Sequence, residues 1–241
     1  MLSQVELPAK LLSAGIKTLN LDCSLDVQAR LLDYVRLLHK WNRVYNLTAV
    51  RDPAQMVTRH LLDSLTVLPY LNKELSNELN DGRDRGTKPQ WILDVGTGAG
   101  LPGIPLALLS AKSYPERRFV LLDSNSKKTR FMRQAMAELA LNNVQVVHAR
   151  TEAFQTEQAF DVVLSRAFAS VTDMLAGAGR HCTPGGVMLA MKGADPGAEL
   201  QNLHTAFALE KVYPLQVPGL HEERHLVCLR RVSESGEPDR E

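Results

Sequence analysis

Cysteine is scarce in this chain: Cys23, Cys182 and Cys228 are odd in number and far apart. That excludes a disulfide framework, offers none of the spacings of a zinc site, and suits a reducing cytoplasm. No run of about 18 apolar residues occurs, so no membrane span is expected. The opening MLSQVELPAKLL lacks the basic region, long apolar stretch and cleavage site of a secretory signal. Excess charge is missing too. Twenty-eight Lys and Arg stand against 27 Asp and Glu, for a net +1, so the surface as a whole does not attract polyanions. Any nucleic-acid contact has to come from a local basic patch. What remains is ordinary for a globular protein: 241 residues, 44% hydrophobic and 23% charged, enough for one large core with or without a small appendage.

Residues 1 to about 70 read as helices. Leu7, Leu11, Leu12, Ile16 and Leu19 form one apolar face over Val5–Leu19; Leu31, Leu32, Val35, Leu38 and Val44 form another over Leu25–Tyr45. A third helix starts with Asp52 as N-cap, Pro53 at its first position and Gln55 closing a capping box. The polar segment 72–90 reads as a linker or surface loop. From Trp91 the pattern alternates. Strands are expected at Trp91–Val95, Arg118–Leu122, Val144–His148, Asp161–Ser165 and Val187–Lys192. Helices are expected at Ile104–Ala111, Ser126–Leu141, Val171–Arg180 and Gly197–Ala208. Such βαβ alternation predicts an α/β fold with a mostly parallel sheet. Leu209–Val217 and His225–Val232 would close it as an antiparallel pair. The boundaries are then a helical N-terminal extension and linker over 1–90, a ligand-binding domain over 91–232 and a frayed tail over 233–241.

The stretch WILDVGTGAGLPG, Trp91 to Gly103, is a strand running into a glycine loop and a helix. Gly98, Gly100 and Gly103 match the dinucleotide fingerprint literally, but Pro102 and Pro105 remove backbone donors a pyrophosphate would want. Asp94 would repel phosphate and welcome a cation. S-adenosylmethionine (SAM), cationic and free of phosphate, fits better, with Asp123 at the end of the second strand placed to accept its ribose hydroxyls. A dinucleotide and a ligand-free turn remain the alternatives.

HLLDSL at 60–65, LDVGTGAGLPGIPLA at 93–107, LLDSNSKKTRFMR at 121–133, FDVVLSRAFAS at 160–170, MKG at 191–193 and ERHLVCL at 223–229 occur in one order along the chain. In these pieces the chain resembles the bacterial small-subunit rRNA guanine-N7 methyltransferases, the RsmG (GidB) family. The resemblance implies a Rossmann-like, seven-stranded SAM-dependent methyltransferase fold. It implies methylation of N7 of one guanine, conventionally position 527, in 16S rRNA, free or within the 30S subunit or an assembly intermediate. By the same resemblance Gly96, Leu101, Thr151, Glu152 and Arg166 contact SAM, beside Asp94, Gly98 and Asp123 from the loop reading.

The chemistry is compatible. Guanine N7 has an in-plane lone pair and no proton to lose, so in-line methyl transfer needs no base and no metal. Orientation can contribute about 7–11 kcal/mol. Arg166, after the fourth strand, is the candidate positioning residue, able to hold a carboxylate, a phosphate or guanine O6; a structural ion pair is the plain alternative. Lys127, Lys128, Arg130 and Arg133 fall in the first turns of a helix, where cations oppose its dipole. Lys127, Arg130 and Arg133 face away from the stripe Phe131, Met132, Ala135 and Leu139, which suggests phosphate contact, with a merely solvated face as the plain alternative. Lys192 and Arg224, with Arg83, Arg85, Lys88 and His225, would extend that patch. His60 reads as a structural histidine, with Asp63 as its partner, and Cys182 as a packing residue. Competing readings are a SAM-dependent enzyme for a small molecule, an NAD-dependent oxidoreductase and a non-catalytic ribosome-binding module. Nothing demands more than a monomer.

Overall fold

The computed structural model describes residues 6–77 and 89–232, apart from 167, 169, 202, 204 and 205. Arg83, Arg85, Lys88 and the expected tail lie outside the described residues. Seven strands run β1 (Gln90–Val95), β2 (Arg117–Asp123), β3 (Val144–His148), β4 (Phe160–Ser165), β5 (Cys182–Lys192), β6 (Phe207–Pro214) and β7 (His225–Arg231). They form one sheet in the order β3-β2-β1-β4-β5-β7-β6. The first five are parallel, and β7 pairs antiparallel with both β5 and β6. The crossover helices are α6 (Gly103–Ser113), α7 (Ser126–Glu138) and α8 (Val171–Ala178). One expected element is absent. Gly197–Leu200 makes only a short 3-10 turn and β6 already begins at Phe207, so the helix read over Gly197–Ala208 is corrected. Pro196 and Gly197 start a turn there, and strand pairing with β7 takes the apolar residues that followed.

The N-terminal helices are α1 (Glu6–Thr18), α2 (Leu25–Tyr45), α3 (Pro53–Met56), α4 (Asp63–Leu65) and α5 (Leu68–Asn77), with a π-helical turn over Val57–Leu62 between α3 and α4. Ser24 caps α2 by accepting from Val27 N, and Asn46 ends it at φ 49°. Asp52 caps α3 through Ala54 N at 3.2 Å.

Alternation along the strands sorts the core. Ile92, Phe119, Leu121, Val162 and Leu189 join α1, α2, α5, α6 and α7 in one apolar cluster; Leu93, Val95, Val120, Leu122, Val163 and Met188 pack with α8 in the other. The N-terminal helices thus share the core of one sheet face. Each fully buried Leu or Phe in that contact is worth roughly 1.5–3 kcal/mol. Leu7 and Val44 are exceptions to the expected stripes, 41% and 70% exposed. Buried Tyr34, on α2, instead sends its hydroxyl to Ala99 O at 2.8 Å. Arg117, 1% exposed, ties β2 to α5 by donating to Asn72 Oδ1 at 2.6 Å and stacks on Tyr114; burial lowers its pKa to about 10.

Candidate active site

The glycine loop is stitched to itself. Gly96 and Thr97 donate their backbone N–H groups to Leu122 O, Gly100 and Leu101 to Thr97 O, and Ile104 to Gly100 O. Gly98 N donates to Asp123 Oδ2 and Gly103 N to Asp94 Oδ2, each at 2.8 Å. Few amides remain to cradle a pyrophosphate, because the loop's own turns and two carboxylates already occupy them. Gly96 and Gly98 sit at φ +64°, the left-handed region where glycine costs least, and a Cβ built on Gly96 meets nothing within 4 Å. The loop therefore presents an open face.

Asp94 lies under that face, wholly buried. Its Oδ2 accepts from Thr97 Oγ1 at 2.6 Å and from Gly103, while its Oδ1 is buried without a hydrogen-bond partner among the described residues. Burial pushes its pKa up to about 7, against the pull of the Thr97 and Gly103 hydrogen bonds. An unpaired carboxylate oxygen beside an open, phosphate-averse loop fits the ammonium of SAM. Asp123, at the end of β2, accepts from Gly98 N and Asn125 N, one bond per oxygen. Each oxygen keeps a lone pair for a ribose hydroxyl. Leu101 is 3% exposed in the loop. Beyond β3, Thr151 and Glu152 lie in a 3-10 turn (Thr151–Ala153) whose carbonyls receive Arg180 Nη2, at 3.0 Å from Thr151 O and 2.8 Å from Glu152 O.

A second feature opens at the ends of β4 and β5. A cavity of about 340 Å³ is lined by Arg59, His60, Asp63, Arg166, Lys192 and Arg224, among others. Its centre is Asp63, 3% exposed, which the π-helical turn delivers. Asp63 Oδ2 accepts from Arg166 Nη1 at 3.3 Å and Oδ1 from Arg224 Nε at 3.1 Å. Asp63 is thus not the partner of His60, whose Nε2 meets Thr48 Oγ1 at 2.8 Å. Helical spacing puts His60 and Asp63 one turn apart, but two guanidinium groups outbid an imidazole for a buried carboxylate. Burial raises the Asp63 pKa, opposed by Arg166 and Arg224. Burial, then the Arg166 charge, lowers that of His60 to about 4.

The expected basic residues divide. Lys127, Arg130 and Arg133 are exposed on α7, opposite the buried Phe131, Met132, Ala135 and Leu139. Lys128 leans the other way, its Nζ 3.9 Å from where a Gly98 Cβ would stand, over the glycine loop. Lys192 pairs with Glu199 at 2.9 Å, and Arg224 also holds Glu222 at 3.0 Å and Glu223 O at 2.7 Å. Both belong to the cavity wall rather than to an open face. Pattern reading missed Asp63 and Tyr34 as site residues, since one contact spans from position 63 to 166 and the other from 34 to 99.

Residues 27–227 match the model of the rRNA small subunit methyltransferase G family (GidB). The chain belongs to this family. It is 48% identical over 229 residues to the ribosomal RNA small subunit methyltransferase G of Ectopseudomonas mendocina, covering 92% of this chain and 96% of the relative. It is 50% identical over 206 residues to that of Stutzerimonas stutzeri, covering 86% and 87%. Among solved structures, this chain shares its fold with the N-methyltransferase NodS of Bradyrhizobium japonicum bound to S-adenosylhomocysteine (TM-score 0.51, 15% identity, 81% of this chain and 98% of that one). TrmN of Thermus thermophilus matches with TM-score 0.50 at 19% identity, covering 73% and 53%. The family places this chain among SAM-dependent methyltransferases, in keeping with the loop geometry. Among the described residues no helix is long and apolar enough to cross a membrane.

Proposed function

We propose that this protein transfers the methyl group of SAM to N7 of a guanine in 16S rRNA, as naked RNA or within the small subunit or its assembly intermediate, and works as a monomer. The observation that carries the reading is that two sites open at the carboxyl ends of neighbouring strands: the open glycine loop with the unpaired Asp94 oxygen after β1, and the arginine-lined cavity after β4 and β5, with β1 paired to β4 and β4 to β5. Ligands of open α/β sheets bind at the carboxyl ends of the strands. Asp94, Asp123, Gly96, Gly98, Leu101, Thr151 and Glu152 hold the cofactor; the cavity takes the guanine, and Arg166, which the resemblance also sets against SAM, is assigned to the base.

Bound SAM supplies an electrophilic methyl. The protein's part is orientation. Asp63 fixes Arg166 from one side and the Arg59 carbonyl receives the same Nη1 at 3.3 Å, so the guanidinium is aimed before substrate arrives. From there it can donate to guanine O6, leaving N7 free to attack. No base is needed, and the cavity is in keeping with that: Asp63 is committed to two cations, and His60, its pKa lowered to about 4, is a weak proton acceptor. A positive charge near the target does not help form a cationic purine, so the part of Arg166 is positioning rather than acid catalysis.

The test is transfer of labelled methyl from SAM to unmethylated 16S rRNA and 30S subunits, followed by digestion to nucleosides. One 7-methylguanosine per rRNA is expected. Label in another nucleoside, or only in small metabolites, overturns the reading.

A further inference from the structure

The cations Lys127, Arg130 and Arg133, which the sequence offers as phosphate contacts, stand exposed on α7. The structure shows a larger surface of which α7 is one half. Helices α2 and α7 run antiparallel: Arg30 near the start of α2 donates to Leu139 O at the end of α7, while Trp41 packs on Phe131 at 5.7 Å. The C-terminal half of α2 therefore lies beside the N-terminal turns of α7, which begin three residues after Asp123 and carry Lys128 over the glycine loop. Between residues 34 and 51, and again between 124 and 137, there is no Asp or Glu at all. In a chain of net charge +1, that is a local concentration of cations.

Lys40, Arg43, Lys127 and Arg133 are exposed. Arg36 and Arg51 are spoken for, by Asp33 and by Asn46 Oδ1 at 2.7 Å. Among these exposed cations stands an aromatic pair. Trp41 and Tyr45 are half-buried with ring centroids 5.2 Å apart, Arg130 lies 6.0 Å over the Trp41 ring, and Val44 beside them is 70% exposed. Aromatic faces set among cations are the surface single-stranded nucleic acid uses: phosphates meet the cations and an unstacked base lies on a ring. A purely structural tryptophan would not need a rim of cations, and α7's cations sit against their own helix dipole.

We propose that the C-terminal half of α2, through Trp41 and Tyr45 with Lys40 and Arg43, is a stacking platform for an unpaired nucleotide of the substrate rRNA. With Lys127, Arg130 and Arg133 it forms one surface rimming the cofactor loop. The platform rests on the RNA reading above, and holds the strand beside the target so that the target guanine enters the cavity.

Trp91 is the other tryptophan, so a Trp91→Phe background leaves Trp41 as sole reporter. Titration with a single-stranded oligouridylate should quench it, with an affinity that falls steeply with salt. In methyl-transfer assays on 30S subunits, Trp41→Leu should raise KM about tenfold, Trp41→Phe should restore most of it, and kcat and SAM affinity should stay unchanged. Lys40→Ala with Arg43→Ala, at exposed positions that leave the fold intact, should raise KM and lower the salt slope by about 0.7 for each lost phosphate contact. Wild-type KM, salt slope and quenching in these variants overturn the platform. So does a dimer of the wild type that these changes dissociate, which would give the face to a second copy. If the wild type methylates no RNA, the functional reading fails; oligouridylate quenching still decides the platform by itself.

Discussion

The two halves of the site are built in opposite ways. The glycine loop is local: its amides, Asp94 and Thr97 lie within ten residues, and Asp123 on the neighbouring strand is the main outside partner. The cavity is assembled across the chain, with Arg166 after β4 and Arg224 before β7 meeting on the carboxylate of Asp63, the residue that follows the π-helical turn. A cofactor shared by many enzymes needs only a short self-supporting turn. A particular base in a particular RNA needs side chains from several elements, and the N-terminal helices contribute the carboxylate around which they gather.

This contrast can be broken most severely at Gly103. A Cβ there would stand 2.2 Å from Leu121 Cδ2 and 2.8 Å from Asp94 Oδ2. Gly103→Ala should cost about 1–3 kcal/mol by overpacking and abolish SAM binding, seen by thermal melting and calorimetry. Gly96→Ala meets no atoms, so its cost is the left-handed backbone, about 1–2 kcal/mol. A protein that melts slightly lower yet binds SAM at least tenfold more weakly would show that the open face is the cofactor's; unchanged SAM affinity would refute it.

The two regions also titrate in opposite senses. Asp94, with a folded pKa near 7 against an ordinary 3.8, binds a proton in the folded state that the unfolded chain has lost. Its stabilisation is complete below about 3.8 and disappears as pH rises through 7. His60, lowered from 6.5 to about 4, stabilises above 6.5 and loses that contribution as pH falls towards 4. Melting between pH 4 and 8 should accordingly show Asp94→Asn flattening the fall in stability towards neutral pH, and His60→Gln flattening the fall towards acid. In the same series wild-type SAM affinity should improve as pH rises through 7, because the ammonium needs the ionised carboxylate; Asp94→Asn should remove that dependence. The smallest expected effect is on SAM affinity in Lys127→Ala, Arg130→Ala and Arg133→Ala combined: none, with RNA affinity weakened and its salt dependence flattened.

Legibility followed the same division. Short-range signals were readable: the run Trp91–Val95 into glycines, Asp123 closing FVLLD, the α7 basic face opposite Phe131 and Leu139, and the antiparallel close of the sheet. Long-range pairing was not. Nothing in HLLDSL says that Asp63 turns to residues 103 and 161 positions away rather than to His60 one turn back. Nor does it say that the backbone widens to a π-helical turn there. Tyr34 looked like one more residue among α2's leucines, although its hydroxyl supports the loop at Ala99. The helix read over Gly197–Ala208 does not form because Pro196 and Gly197 start a 3-10 turn that ends at Leu200, and Phe207 and Ala208 are taken by pairing with β7.

The central claim is that Asp63 positions Arg166 for the base and leaves the cofactor site alone. The most direct measurement is Asp63→Asn, nearly isosteric, assayed for SAM affinity by calorimetry and for single-turnover methyl transfer to 30S subunits at saturating SAM. An unchanged SAM dissociation constant is expected, with transfer slowed by about a hundredfold, the scale of a misplaced reacting group. Transfer at the wild-type rate, or slow transfer explained by lost SAM binding, would contradict it.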